Sequence, residues 1–156
     1  MSDKPITRRA FTRTTAAATL GLTAAQASRA MGANDRVRLG FIGVANRGGQ
    51  LMTAFMEHAD IQIVALCDVH KPTLEKASGR VEGKAAAYGD FRRLIDRKDV
   101  DAVVIATPDH WHGIQTVDAC DAGKDVYVEK PLSITVFEGR RMVEAARRNR
   151  RVVQVG

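Results

Sequence analysis

Cysteine is scarce in this chain of 156 residues: Cys67 and Cys120 are the only two, and they lack metal-ligand spacing. That pattern suggests neither a zinc site nor a disulfide framework, and it predicts two buried free thiols. Long apolar runs are also missing. The stretch Thr14–Ala25 is poor in charge but too short to span a bilayer, so no stable membrane insertion is expected. A strong charge of one sign is missing from most of the chain as well. The formal net charge is +6, but residues 1–30 carry five Lys/Arg against one acid, while the remaining 126 carry nineteen against seventeen. Most of the basic excess therefore belongs to the N-terminal segment, and what remains is an ordinary solvated surface, not a nucleic-acid footprint. Beyond residue 30 there is no internal repeat and no low-complexity tract.

The first thirty residues have the order of an export signal. Thr7-Arg8-Arg9-Ala10-Phe11-Thr12-Arg13 resembles a twin-arginine motif, the apolar Thr14–Ala25 stretch comes next, and Ala25-Gln26-Ala27 or Ser28-Arg29-Ala30 offers small residues to a peptidase. The expected partner is the twin-arginine translocation machinery, and the expected location is periplasmic or otherwise extracytoplasmic. That route carries folded proteins, which agrees with free thiols.

Residues 36–156 are long enough for one domain. Strand-like runs at 37–43, 61–67, 100–106, 125–128 and 152–155, with a weak one near Ala85–Tyr88, are rich in Val and Ile and continuous, as strands covered on both faces should be. Helix-like segments fall between them at 48–57, 72–80, 91–97, 110–122 and 135–149. Asp90 and Asp109 are placed to cap the helices after them, Gly123 to close the fourth helix, and Thr135-Val-Phe-Glu138 to form a capping box. The last helix is expected to bury Val136, Gly139, Val143 and Ala146. The cations of Arg147-Arg148-Asn149-Arg150-Arg151 complement its C-terminal dipole. Strand–helix alternation with short connections predicts an α/β fold, a Rossmann-type doubly wound parallel sheet of order 3-2-1-4-5-6. Its crevice would open between Gly43–Gly48 and Thr107–His112.

Three constellations border that crevice. In the first, Gly43-Val-Ala-Asn-Arg-Gly48 succeeds the first strand, and Asp68 stands twenty residues beyond Gly48 at the end of the second. Glycines there let a pyrophosphate approach backbone N–H groups at a helix N-terminus, and the carboxylate would accept ribose hydroxyls. Ala45 replaces the middle glycine, Asn46 is a further cofactor-binding candidate in the same loop, and Arg47 is placed to reach a phosphate or to point to solvent. Asp68 would repel a 2′-phosphate, so NAD is expected over NADP, although Lys71 is a nearby cation. In the second, Ala106-Thr107-Pro108-Asp109-His110-Trp111-His112, Pro108 ends the strand and exposes the side chains after it at the crevice. His110 and His112 would point about 200° apart on a helix, so no metal is expected, and Trp111 reads as a packing residue. The third is Tyr127-Val128-Glu129-Lys130-Pro131. There Lys130 is either a partly buried proton-exchanging group beside the nicotinamide, or an exposed lysine paired with Glu129.

Gly40-Phe-Ile-Gly43, Ala106–His112, Val126-Tyr-Val-Glu-Lys-Pro-Leu-Ser133 and Val152-Val-Gln-Val-Gly156 together resemble the glucose–fructose oxidoreductase, inositol dehydrogenase and MocA family, over essentially all of residues 36–156. The Glu-Lys-Pro element is the most specific part. The resemblance implies an NAD(P)-dependent oxidoreductase acting on sugars, cyclitols or related carbohydrates. Gly43, Ala45 and Gly48 would form the phosphate loop, and Asp68 would hold the adenosine ribose. Thr107 and Pro108 would line the nicotinamide side with His112 nearby, and Lys130 would contact substrate and nicotinamide ribose. It further implies a second α+β domain, missing from this chain, that carries the main acid/base histidine and most of the dimer interface. Some relatives use bound NAD for a transient oxidation that lets a glycosidic bond eliminate. A truncated, non-catalytic NAD-binding module is a third expectation. Because a periplasm holds little free NAD, the complete exported enzyme is expected to carry its cofactor tightly bound.

Overall fold

The computed structural model describes residues 36–156; the twin-arginine motif and the segment after it, residues 1–30, lie outside the described residues. The described chain alternates β1 (Val37–Ile42), α1 (Asn46–Met56), β2 (Ile61–Cys67), α2 (Lys71–Arg80), β3 (Ala86–Tyr88), α3 (Phe91–Ile95), β4 (Ala102–Ile105), α4 (His112–Asp121), β5 (Asp125–Val128), α5 (Val136–Asn149) and β6 (Val153–Val155), with a short 3₁₀ turn, Asp109–Trp111, leading into α4. The strands form one six-stranded sheet in the order β3-β2-β1-β4-β5-β6. Every pairing is parallel, as the alternation of apolar runs and amphipathic segments predicts.

The continuous apolar runs are explained by burial on both faces of the sheet. Alternate strand residues point to opposite sides. On one side Leu39, Phe41, Leu66 and Val104 pack against Leu51 and Met52 of α1 and Leu74 of α2. On the other, Ala65, Val103, Ile105 and Val128 pack against Leu94 of α3, Ala119 of α4 and Met142 and Ala145 of α5. Gly40 lies on β1, where an added Cβ would stand 2.6 Å from Leu94 Cδ2, so the bare backbone there lets α3 close onto the sheet.

Most of the predicted punctuation is present. Asp90 accepts from Arg92 N at the start of α3, and Thr135 and Glu138 form the reciprocal capping box of α5. Gly123 takes φ +77° after α4. Its N–H donates to Cys120 O and that of Lys124 to Ala119 O, which closes the helix.

Two expectations are corrected. Asp109 does not cap α4. Pro108 begins a 3₁₀ turn instead, closed by Trp111 N donating to Pro108 O, and Asp109 lies inside that turn with no side-chain capping bond. The buried face of α5 is carried by Met142 and Ala145, while Val136 is 89% exposed and Val143 36%. The C-terminal end of α5 is tied to Asp121 of α4 by Arg148 and Asn149, and Met142 lies in the buried cluster with Ala119 and Cys120 of α4 and Val128 of β5. One interior group has no signature in the sequence pattern: Lys124 is buried, and its Nζ donates to Arg97 O and Val100 O at 2.5 and 2.9 Å. Burial holds its pKa below the usual lysine value.

Both cysteines are free and buried. Burial, reinforced by Asp68 and Asp90, pushes the Cys67 thiol up to about 12. Burial, reinforced by Asp121 and Asp125, pushes Cys120 up to about 11. Neither thiol should react with a disulfide dye at about pH 8 in the native protein, and both should titrate in denaturant. Because Cys67 ionises later folded than unfolded, the stability it contributes is whole below about pH 9 and is lost as pH rises towards about 12. Urea unfolding of Cys67→Ala should show a shallower alkaline decline than the parent chain.

Candidate functional site

The crevice opens at the carboxyl ends of β1, β2 and β4, where the sheet's winding reverses. It is a cavity of about 620 Å³ walled by Gly43, Ala45, Asp68, Thr107, Pro108 and Gln115, among others. A strand order that reverses at β1 and β4 must leave a gap there, because the loops after those two strands pass to opposite faces of the sheet.

The floor of the cavity is built by close backbone approach. Gly43 ends β1 at φ +82°, and an added Cβ would meet Ala106 O at 2.7 Å; at Gly48 an added Cβ would stand 1.9 Å from Gly43 O. Only glycine serves at either place. Pressed in this way against the turn, α1 begins at Asn46, two residues earlier than its sequence pattern predicts. Its N-cap, Ala45, supplies no side-chain cap, and the first turn holds no acid. An uncapped helix N-terminus beside a glycine turn offers backbone N–H donors and the positive end of the dipole to an anion.

Asp68 comes directly after β2 and lines the same cavity. One carboxylate oxygen accepts from Val44 N at 3.0 Å and the other from His70 N at 2.9 Å, so the group is anchored to both the glycine turn and its own loop. A carboxylate has about four acceptor positions, and two remain for hydroxyl donors. Lys71 opens α2 nearby and is exposed; among the described residues it forms no ion pair with Asp68.

Arg47 neither spans the cavity nor points freely to solvent. Its Nε donates to Glu129 Oε1 at 2.6 Å and its Nη1 to Gln50 Oε1 at 3.2 Å. Glu129 is buried at the end of β5, so this ion pair joins the phosphate loop to the Glu-Lys-Pro segment. The expected pairing of Lys130 with Glu129 is thereby corrected, since Arg47 occupies that carboxylate. The Lys130 side chain is exposed, as the second of the two readings expects.

On the β4 side, Thr107 Oγ1 donates to the buried Gln115 at 2.7 Å, and Pro108 forms the neighbouring wall. His112 is 1% exposed. Its Nδ1 lies 2.7 Å from Pro131 O and its Nε2 2.9 Å from Thr107 O, so the ring links the two loops at this end of the cavity. His110 is exposed, so the two histidines do not converge. Trp111 packs edge-on against Phe91, with ring centroids 6.4 Å apart, and it also forms part of the cavity wall. Asp90, Phe91 and Arg92 also line the cavity, although no sequence motif selects them as site residues. The signal available for them was the strand order, which sets the end of β3 beside Asp68.

These features fit a dinucleotide: a glycine cradle that a Cβ would fill, an open helix N-terminus, and an anchored carboxylate across the crevice. They define the class as a nucleotide-binding, doubly wound domain. The chain belongs to the Gfo/Idh/MocA family, whose model, described as Oxidoreductase family, NAD-binding Rossmann fold, matches residues 37–156. It is 34% identical over 125 residues to Glycosyl hydrolase family 109 protein 1 of Shewanella sp. (strain ANA-3), covering 75% of this chain and 27% of that protein. The fold resembles a probable dehydrogenase from Thermotoga maritima, with a TM-score of 0.73, 28% identity, and 76% and 35% of the two chains covered. It also resembles the WlbA dehydrogenase from Bordetella pertussis, solved with NADH and UDP-GlcNAcA, with a TM-score of 0.73, 26% identity, and 78% and 37% covered. The chain thus spans about a quarter of the length of the curated relatives it matches.

The Arg47–Glu129 pair is asymmetric, since the Arg47 side chain is 53% exposed and that of Glu129 only 5%. Arg47→Met should cost roughly 2 kcal/mol by leaving a buried carboxylate unpaired, whereas Glu129→Gln should cost less because water still solvates Arg47. Urea denaturation of the two variants measures the difference.

Proposed function

We propose that the chain is the NAD-binding part of an oxidoreductase that removes hydride from a carbon bearing a hydroxyl on a sugar, cyclitol or related carbohydrate. The observation that carries the reading is Asp68, held by two backbone N–H groups with acceptor capacity facing the cavity. Bound NAD supplies the hydride acceptor. The amides at Ala45, Asn46 and Arg47, backed by Gly43 and Gly48, receive the pyrophosphate. Asp68 orients the adenosine ribose and disfavours a 2′-phosphate. Thr107, Pro108 and His112 shape the nicotinamide end, and Glu129 anchors the segment that presents Lys130. Lys130 meets substrate and stabilises charge developing on its oxygen as the hydroxyl proton leaves. The relatives' greater length supports a further domain as the source of the general base.

Binding measurements test this reading. Titration of NAD and NADP into the 156-residue chain should show preference for NAD. Asp68→Ala should weaken NAD by roughly ten- to a hundredfold, the loss of charge-assisted hydrogen bonds, and erase the preference. Equal affinities in parent and variant would remove Asp68 from the ribose.

The relative named as a family 109 glycosyl hydrolase favours a second reading, in which the oxidation is transient and a glycosidic bond is cleaved with no net redox change. Stoichiometry in the full-length protein separates the two: NADH accumulates with a sugar in the first and does not in the second.

We also propose export by the twin-arginine route with NAD already bound. Arg8→Lys with Arg9→Lys should retain the protein in the cytoplasm, as fractionation would show. Full-length protein that releases no nucleotide on denaturation would refute the prebound cofactor.

A further inference from the structure

We propose that the outer face of α5 is a docking surface for an anionic phospholipid bilayer, on which the domain rests without crossing it. The inference is independent of the cofactor reading and uses none of its residues.

The small basic surplus beyond residue 30 is concentrated on one element. Residues 136–151 carry six arginines, Arg140, Arg141, Arg147, Arg148, Arg150 and Arg151, against Glu138 and Glu144. The rest of the chain from residue 31 onwards carries thirteen Lys/Arg against fifteen acids, so it is slightly acidic and α5 holds the whole excess. Ion pairs take up part of this charge: Arg141 meets Glu144, Arg148 meets Asp121 of α4, and Arg151 meets Asp125 of β5. Arg140, Arg147 and Arg150 form no ion pair among the described residues. The helix dipole accounts for Arg147 and Arg148 in the last turn. It does not account for Arg140 in the second turn, where the dipole gives a cation nothing.

The same element begins with unburied apolar side chains. Ile134 is 58% exposed and Phe137 73%, and Val136 between them is the most exposed of the three. Met142 and Ala145 fill the side of α5 that packs on the core, so these three residues lie outside it. Val136, Arg140, Val143 and Arg147 recur at helical spacing and share one face. An apolar cluster leading into a stripe where valine and arginine alternate suits the depth profile of a bilayer surface. The apolar groups enter among the acyl chains, the arginine stems lie along them, and the guanidinium groups reach lipid phosphates. No helix among the described residues is long and apolar enough to cross a membrane, so α5, 14 residues and about 21 Å long, would lie along the surface.

Other occupants fit this face less well. A nucleic acid offers phosphates to the arginines but leaves Ile134, Val136 and Phe137 in water. A protein interface excludes charge from its apolar centre, whereas here an arginine follows each valine of the stripe.

The test is co-sedimentation with vesicles of phosphatidylcholine alone or with about 30 per cent phosphatidylglycerol. Residues 1–30 carry five cations of their own, so every sample is the 156-residue chain with Arg8→Gln, Arg9→Gln and Arg13→Gln. This chain should bind the anionic vesicles, bind neutral ones at least tenfold more weakly, and be released as salt rises from about 0.05 M to about 0.5 M. Arg140→Gln with Arg147→Gln should lower the partition coefficient about tenfold, and Val136→Gln with Phe137→Gln by a similar factor. All four side chains are exposed, so urea midpoints should match the parent's; should the second pair not fold, Val136→Ala with Phe137→Ala replaces it. No binding, or binding that neither pair weakens, overturns the proposal. Loss with the arginine pair alone, together with equal affinity for duplex DNA, overturns the lipid assignment in favour of a general polyanion surface. Full-length protein that ignores vesicles while the 156-residue chain binds them also overturns it, by giving this face to an internal contact.

Discussion

The approach of Gly48 to the carbonyl of Gly43 is the contact on which the rest of the site depends. A Cβ at Gly48 would stand 1.9 Å from that oxygen, with no flexible side chain to yield. Without this contact α1 would stand off from β1, and its first-turn amides would no longer border the cavity. The left-handed turn at Gly43 works with it, by turning the chain under Ala106 before the helix begins.

Around that fixed backbone the charges are arranged in tethered pairs. Asp68 is held by amides from both its own loop and the glycine turn. Glu129 is held by Arg47 from the opposite lip of the crevice. The hydrogen bonds of His112 bring the β4 and β5 loops together. Of these, the Arg47–Glu129 pair crosses the point where the sheet order reverses, while Asp68 ties the β1 and β2 loops and His112 the β4 and β5 loops on either side of it. The crevice is therefore organised before any ligand arrives, which reduces the ordering cost of binding.

Much of this could be read from the sequence. Strand order, glycine placement, the Asp90 cap, the capping box and the free buried thiols arise from local rules that act over a few residues. The features that escaped are those that depend on tertiary neighbours. Arg47 could not be assigned a partner because Glu129 is 82 residues away. Met142, not Val143, lies on the buried face because the rotation of α5 is set by its packing on the sheet and on α4, which local periodicity does not fix. Asp109 lost its capping role because Pro108 favours a tight turn first. Lys124 was invisible because nothing in its local sequence marks it as a donor to the Arg97 and Val100 carbonyls. Asp90, Phe91 and Arg92 reach the crevice through the short β3, the weakest strand signal in the chain.

The two outermost strands, β3 and β6, are three residues long apiece. A free sheet margin is a template on which a foreign strand can add, and the hazard grows with the length of unpaired backbone it presents. Margins this brief give an incoming segment few amides and carbonyls to align with. The long, strongly β-forming strands β1 and β2, which would nucleate aggregation most readily, are held inside the sheet with neighbours on both sides.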